Sequence, residues 1–279
     1  MKFTTKALAL CASVAAVIGA MPQRVEAQAM LTCPAADSIT RNAFNDPNGT
    51  YKGSCKGTPT VYGLTFYEMG FCTDNPMSSG TFDPTGAGCF ATFQNSGGEY
   101  HDIAGATVTL GSETGTERPP NGTYNVAYVI FSNVFTLKGS YKFAGEALWV
   151  SNGDPTDDNN PNSTQAGSAQ QFTDTLRTFG DGCDPDFAET QANGTLNAYM
   201  VNGSLSSGLT TDTSCSTATT MVGALVLNSP ITIDSSTTGL QVDFSVTNNG
   251  LSVMGQVGGP GGNPGFGSGP FSATFTVLN

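Results

Sequence analysis

Tyr124–Phe143 reads YNVAYVIFSNVFTLKGSYKF, two apolar runs that meet at Ser132-Asn133. Apolar residues alternate with others along both runs: Tyr124, Val126, Tyr128 and Ile130 in the first, and Phe135, Leu137, Tyr141 and Phe143 in the second. Successive side chains of a strand point to opposite faces, so this period predicts two β-strands. We interpret them as a central hairpin of a sheet with one buried face and one solvated face.

Similar short apolar runs occur on both sides of this stretch. They predict strands at 58–66, 104–110, 147–150, 196–201, 220–227, 231–233, 240–247 and 251–257. The 220–227 run is apolar on both faces, as expected of a central strand. Short helices are predicted at 35–44, around Phe172, Leu176 and Phe179, and after the Asp184 cap. The pattern indicates an all-β protein, an antiparallel β-sandwich or jelly roll with one or two short helices.

Residues 1–29 have the layout of a secretory signal peptide. Lys2 and Lys6 precede the apolar run Ala7–Ala20, and Ala27-Gln28-Ala29 is a small-residue cleavage site. A run of 14 residues is shorter than the ~20 of a typical membrane span, although a retained anchor is the alternative. We therefore expect export to the cell surface or the extracellular space, with the periplasm as a further option, and no membrane span afterwards.

The acidity of the chain limits its partners. Residues 30–279 contain seven basic and 21 acidic side chains, a formal net charge of −14. A nucleic acid and an anionic membrane are both negatively charged, and both bind a positively charged protein surface. We therefore expect neither as a partner. The acidic residues suit solubility or divalent cations.

Six cysteines follow the signal segment: Cys33, Cys55, Cys72, Cys89, Cys183 and Cys215. An even number in an exported chain predicts three disulfides, and six cysteines allow 15 pairings. Sequential pairing, 33 with 55, 72 with 89 and 183 with 215, is our hypothesis. The alternative, a zinc site, is disfavoured because no C-x-x-C pair occurs and His101 is the single histidine.

The domain organisation is expected to change near the C-terminus. Residues 30–257 are interpreted as one β-sandwich domain, with a possible internal boundary in the polar stretch 152–167. Residues 258–270 hold seven glycines and three prolines, a composition typical of a flexible tether. Residues 271–279 then alternate as a strand, with Phe271, Ala273, Phe275 and Val277 on one face.

A strand on a tether suggests assembly. It could complete the sheet of a neighbouring copy, and repetition of that contact would build a filament. The alternative is that the strand folds back and completes its own domain. Self-association through the strand is our leading functional hypothesis, in an exported structural protein.

Two acidic loops are candidate calcium sites, and calcium is the one cofactor that the sequence suggests. The first contains Asp154, Asp157 and Asp158, and the second contains Asp181, Asp184 and Asp186. Their oxygen ligands suit calcium, but neither loop has the EF-hand register, and a solvated polar loop is the alternative. A calcium-ordered module that binds glycans or mediates adhesion is the second functional hypothesis.

Catalytic signals are weak. His101 lies between Tyr100 and Asp102, but the nucleophile elbow G-x-S-x-G is missing. A glycoside hydrolase needs two carboxylates, and no spacing singles out a pair. Trp149 could stack on a sugar ring, although a Trp in an apolar strand is more often buried. A carboxylate-dependent hydrolase is the third hypothesis.

Overall fold

Strands make up nearly every regular element of the computed structural model, which describes residues 30–77, 82–105, 118–157, 159–179, 186–201 and 218–279. The elements in chain order are α1 (Arg41–Phe44), β1 (Ser54–Gly57), β2 (Val61–Cys72), β3 (Cys89–Asp102), β4 (Gly122–Ser132), β5 (Val134–Lys138), β6 (Ser140–Tyr141), β7 (Trp149–Ser151), β8 (Ser163–Thr164), β9 (Phe172–Thr175), β10 (Asp186–Gln191), β11 (Gly194–Val201), β12 (Thr220–Ile233), β13 (Gly239–Ser245), β14 (Leu251–Met254), β15 (Gly265–Ser268) and β16 (Ser272–Leu278).

Eight of the strands form one large antiparallel sheet. β3 lies along one edge of β2, and β4 and β5 follow one another along its other edge. β12, β11 and β10 continue the sheet beyond β4, and β9 pairs with β5. Smaller sheets pack against it, so the expectation of a disulfide-stapled antiparallel β-sandwich is confirmed.

The predicted hairpin at Ser132-Asn133 is wrong. β4 and β5 run in the same direction, and both are antiparallel to β2. Asn133 separates them and is 2% exposed, with its side-chain amide donating to the carbonyl oxygens of Leu176 and Ala218 at 2.8 and 2.9 Å. These bonds fix a local irregularity in the backbone at Asn133. The chain therefore continues in the same direction along β2 and does not reverse as it would in a hairpin.

Both faces of β4 are buried, which corrects the expectation of one solvated face. One face carries Val126, Tyr128 and Ile130 and packs under the loop between Cys72 and Cys89, including Met77 and Ala87 of that loop. The other face carries Ala127, Val129 and Phe131 and points towards the smaller sheets. Met221–Leu225 of β12 are buried on both faces in the same way, as predicted for the central strand at 220–227.

Two cysteine pairs form disulfides as predicted, Cys33–Cys55 and Cys72–Cys89. Cys183 and Cys215 lie outside the described residues, so the third predicted pairing stays a prediction. The first bridge joins the N-terminal segment to β1, and the second closes the loop that covers the large sheet. Disulfides of this kind are typical of oxidising compartments. No helix in the described ranges is long and apolar enough to span a membrane.

The second half of the segment predicted as a flexible tether, from Pro264, is built into the core, while 258–261 are exposed. β15 lies within it and pairs with β14, and Phe266 is fully buried. The side chain of Asn162 brackets Phe266, accepting from its backbone N at 2.8 Å and donating to its carbonyl oxygen at 2.9 Å. Asn162 belongs to the stretch predicted as an internal boundary; within that stretch Asn162 and Ser163 are buried, while most of the other described residues are exposed.

The predicted helices are shorter than expected or missing. Of 35–44, the last four residues are helical, capped by the Thr40 hydroxyl. Phe172–Thr175 forms β9, because Phe172 and Asp174 alternate into the protein as the strand pairs with β5. The helix predicted after the Asp184 cap is wrong, because Asp186–Gln191 is strand β10, paired with β11; Asp184 and Pro185 themselves lie outside the described residues. Most of the strand predicted at 104–110 also lies outside them.

Candidate functional site

An apolar cavity of about 210 Å³ lies between the large sheet and the sheet formed by β13 and β16. We call the latter the cover sheet. Side chains and backbone from several elements line the cavity: Met30, Tyr62, Met69, Ala127, Tyr128, Val129, Phe131, Phe135, Leu176, Thr178, Phe179, Phe187, Gln191, Leu196, Ala198, Met221, Gly223, Leu225, Val242, Phe244, Ser268, Gly269, Pro270, Phe271, Ala273 and Phe275.

Small residues on neighbouring strands create the space. Ala198 of β11 lies directly opposite Gly223 of β12, and Gly223 lies directly opposite Val129 of β4. In the next register row, Ala127 lies opposite Leu225. Cross-strand partners share a face of the sheet, so the methyl groups of Ala198 and Ala127 and the hydrogen of Gly223 lie on one face. The larger side chains between them are those of Val129, Leu196 and Leu225.

Phenylalanine rings of the cover sheet, and of Phe271 directly before β16, form the opposite wall of the cavity. Phe244 and Phe271 are in edge contact with ring centroids 5.7 Å apart, and Phe271 is the same distance from Phe131 of the large sheet. Phe275 meets Phe71 edge-on at 5.4 Å. These contacts hold the two layers together beside the cavity.

The predicted assembly strand therefore lies in its own domain in this structure. β16 pairs with β13 along its whole length. Phe271, Ala273 and Phe275 line the cavity, and Val277 packs against the cluster that contains Phe71. The alternating face that sequence analysis identified is thus the face that meets the large sheet.

Polar bonds fix the backbone of the cover sheet and the segment before it. Gln191 donates from its side chain to the carbonyl oxygen of Phe271 at 3.2 Å, and Asn193 donates to that of Ala273. The Tyr62 hydroxyl donates to the carbonyl oxygen of Gly269 at 2.6 Å. Burial, and then the charge of Asp174, raise the pKa of Tyr62 well above its usual value, so this hydroxyl remains a donor.

An ion pair lies beside the cavity wall. Lys56 Nζ of β1 is 2.8 Å from Glu189 Oε1 of β10, and both side chains are mostly buried. Glu189 occupies the same face of β10 as Phe187 and Gln191, which line the cavity. Its second oxygen, Oε2, is buried and has no hydrogen-bond partner among the described residues.

The predicted calcium residues are not assembled into a site by the described part of the chain. Asp154 accepts a bond from Asn152, and Asp157 accepts from the backbone and side chains of Asn159 and Asn160, which lowers the pKa of Asp157. Asp158, Asp181 and Asp184 lie outside the described residues, and Asp186 is placed only as a backbone position in β10. Within the described ranges, no three acidic, histidine or cysteine side chains converge as metal ligands would.

The remaining candidate residues have local partners. His101 Nε2 is 2.6 Å from Glu99 Oε1, while Asp102 accepts backbone bonds from Tyr62 and Ala104. Asp102 thus anchors a strand and does not orient the histidine. Trp149 is 6% exposed and donates to Glu146 Oε2 at 2.5 Å, so its ring is not presented to a sugar.

Sequence reasoning missed the cavity. Ala127, Ala198 and Gly223 each sit inside an apolar strand, and a glycine in a strand interior signals a close approach or missing side-chain volume. Their juxtaposition depends on the register of three strands, which the sequence does not specify. Comparison of the chain with protein-family models, with curated proteins and with solved structures finds no match.

Proposed function

We propose that this chain is an exported protein that binds a small, neutral and largely apolar molecule in the cavity under the cover sheet. The observation that carries the proposal is the floor of small residues, Ala127, Ala198 and Gly223, facing a wall of phenylalanine rings. The export signal and the two disulfides support the exported setting.

The chemistry of the lining favours an apolar occupant. The cavity is partly open to solvent, and its surface is almost entirely apolar. Removal of apolar surface from water contributes roughly 25 cal/mol per Å², so a ligand that covers this lining gains binding free energy.

The cavity volume limits the size of the ligand. An apolar cavity of roughly 150 Å³ holds one benzene molecule. The cavity of about 210 Å³ therefore suits one aromatic ring with short substituents, or an aliphatic chain of similar volume.

Filling the cavity from its floor tests the proposal. A Cβ atom at Gly223 would meet Val129 Cγ1 at 3.3 Å, closer than an ordinary contact, and Leu196 Cδ1 and Phe131 Cε1 at 3.8 Å, so a larger side chain there requires these neighbours to shift. We expect Gly223→Leu to abolish the binding of p-xylene and p-cresol, measured by isothermal titration calorimetry on the oxidised protein.

Gly97→Leu is the matched control, because Gly97 is an exposed strand residue of the same sheet. Should Gly223→Leu not fold, Ala198→Leu fills the same space, with exposed Ala188→Leu as its control. Failure of the unmodified protein to bind either probe, or equal binding by the filled and control variants, would refute the proposal.

Self-association through β16 is the second candidate. The observation in its favour is that β16 pairs with one strand, β13, among the described elements, so the same strand of another copy could replace it. Exchange would be confined to the residues after Pro270, because Phe266, Ser268 and Gly269 are bonded to their own core. The oligomeric state of the intact and truncated protein tests this candidate.

A further inference from the structure

We propose that Met30 is a specificity-determining residue of the ligand site, whose side chain limits the length of the hydrocarbon that the cavity accepts. This inference rests on the proposed ligand-binding function and adds the determinant of ligand size to it. The class of ligand is then a compact hydrocarbon of about one aromatic ring, and a shorter side chain at position 30 should admit a longer one.

The N-terminal segment that carries Met30 is fastened to β1. The backbone N of Lys56 donates to the carbonyl oxygen of Leu31 at 2.8 Å, and the backbone N of Cys33 donates to that of Lys56 at 2.8 Å. The Cys33–Cys55 disulfide joins the same two segments covalently. Met30 directly precedes these links and lines the cavity. Two backbone bonds and a disulfide therefore fix the chain next to it.

The side chain of Met30 contacts β14. The Ser252 hydroxyl donates to Met30 Sδ at 3.8 Å, and a thioether sulfur is a weak acceptor. Ser252 is directly opposite Gly267 of β15, and the residue after Gly267, Ser268, lines the cavity with Met30. Met30 is half-buried, and the cavity that it lines is partly open to solvent. Its side chain thus lies at the boundary between the cavity and the solvent.

Met30 lies outside the strand ladders, unlike the two other methionines of the lining. Met69 belongs to β2 and Met221 to β12, and each of these strands is paired on both sides. The segment after Met30 makes an isolated bridge between Thr32 and Lys56. A methionine side chain is unbranched and adapts to irregular space. Replacement of Met30 should therefore change the cavity and leave the ladders intact.

Two probes that differ in length test this role. Toluene and n-butylbenzene share the aromatic ring and differ by three methylene groups, and titration calorimetry gives the affinity of each for the oxidised protein. We expect Met30→Ala to raise the affinity for n-butylbenzene relative to toluene by at least about tenfold, because the longer chain occupies the space that the thioether leaves. Each variant is produced from the full-length chain, and its intact mass establishes its N-terminal residue.

Two further variants separate the length limit from a general effect on the segment. Leu31→Ala is the matched control, because Leu31 is the adjacent apolar residue, is 48% exposed and does not line the cavity. It should change the ratio of the two affinities by less than about twofold. Met30→Phe places a larger and stiffer side chain at the boundary, so it should shift the ratio towards toluene.

The outcomes distinguish this inference from the function on which it rests. An unchanged affinity ratio in Met30→Ala, or n-butylbenzene binding that stays undetectable in that variant, would overturn the role of Met30 while leaving cavity binding intact. An equal shift in Leu31→Ala would overturn it too. Absence of binding by either probe to the unmodified protein would instead overturn the cavity function and this inference with it.

Discussion

Single residues decide where this chain departs from its sequence pattern. Ser132-Asn133 between two alternating runs is a good turn signal, yet the chain continues straight. The side chain of Asn133 is buried and bonds to two carbonyl oxygens far away in sequence, on Leu176 and Ala218. Such tertiary partners are invisible to a local pattern, whereas the alternation that identifies the strands is local and was read correctly.

Tyr141 gives a residue-scale prediction about alkaline pH. Its side chain is buried, its hydroxyl donates to the carbonyl oxygen of Pro34 at 3.0 Å, and burial raises its pKa to about 12. The unfolded chain has a tyrosine pKa of about 10. The folded state thus holds the proton more tightly, so stability from this group is complete below pH ~10 and is lost as pH rises towards 12.

We therefore expect the free energy of unfolding of Tyr141→Phe to fall less steeply with rising pH over this range than that of the unmodified protein. Urea unfolding at pH 9, 10 and 11 measures the slope of stability against pH for each variant. Tyr100→Phe, at a position that is 53% exposed, controls for the removal of a phenol. Identical slopes for the Tyr141 variant and the unmodified protein would contradict the assignment.

Elements differ in how well their sequence specifies them. β13 alternates strictly, and its strand was predicted almost to the residue. β15 was not predicted, because its glycines and prolines favour irregular backbone and its pairing with β14 comes from tertiary packing around Phe266. The spacing of Phe172, Leu176 and Phe179 fits a 3.6-residue period and predicts a helix, but Phe172–Thr175 pairs with β5 as strand β9.

Phe266→Ala tests the element that replaced the predicted tether. A flexible tether would tolerate the change, whereas removal of a fully buried ring should lower the free energy of unfolding by about 3–5 kcal/mol. The measurement is equilibrium urea unfolding. Pro260→Ala lies in the same segment at an exposed position and is expected to change stability by less than ~0.5 kcal/mol. A similarly small effect at Phe266 would restore the tether interpretation.

For the whole molecule, the sequence specified the class of fold but not the candidate site; the hypothesis of sequential disulfide pairing is confirmed for four cysteines. The class follows from the strand period and turn residues, which are local. The cavity needs Ala198 and Gly223 on neighbouring strands and Phe271 in the opposite layer, so it depends on topology and register. The sequence predicts a strand with one apolar face at residues 271–279. In this structure the strand pairs with β13 of the same chain.

Truncation after Pro270 is the prediction at this scale. Removal of β16 takes away Phe271, Ala273 and Phe275 from the cavity wall. We expect the shortened protein to lose probe binding and to unfold at lower urea concentration, while the intact protein sediments as a monomer. A ladder of oligomers for the intact protein, together with a folded monomer for the shortened one, would support strand exchange between copies.

The position of the cover sheet late in the chain has a consequence for biogenesis. β13 and β16 follow every strand of the large sheet, and Tyr62 and Gly269, which are hydrogen-bonded, lie 207 residues apart. A chain that leaves a ribosome or a translocation channel amino-terminus first exposes the apolar floor until its last forty residues emerge. During that interval the apolar face of the nascent sheet is uncovered, so closure of the interior waits for the last strand of the chain.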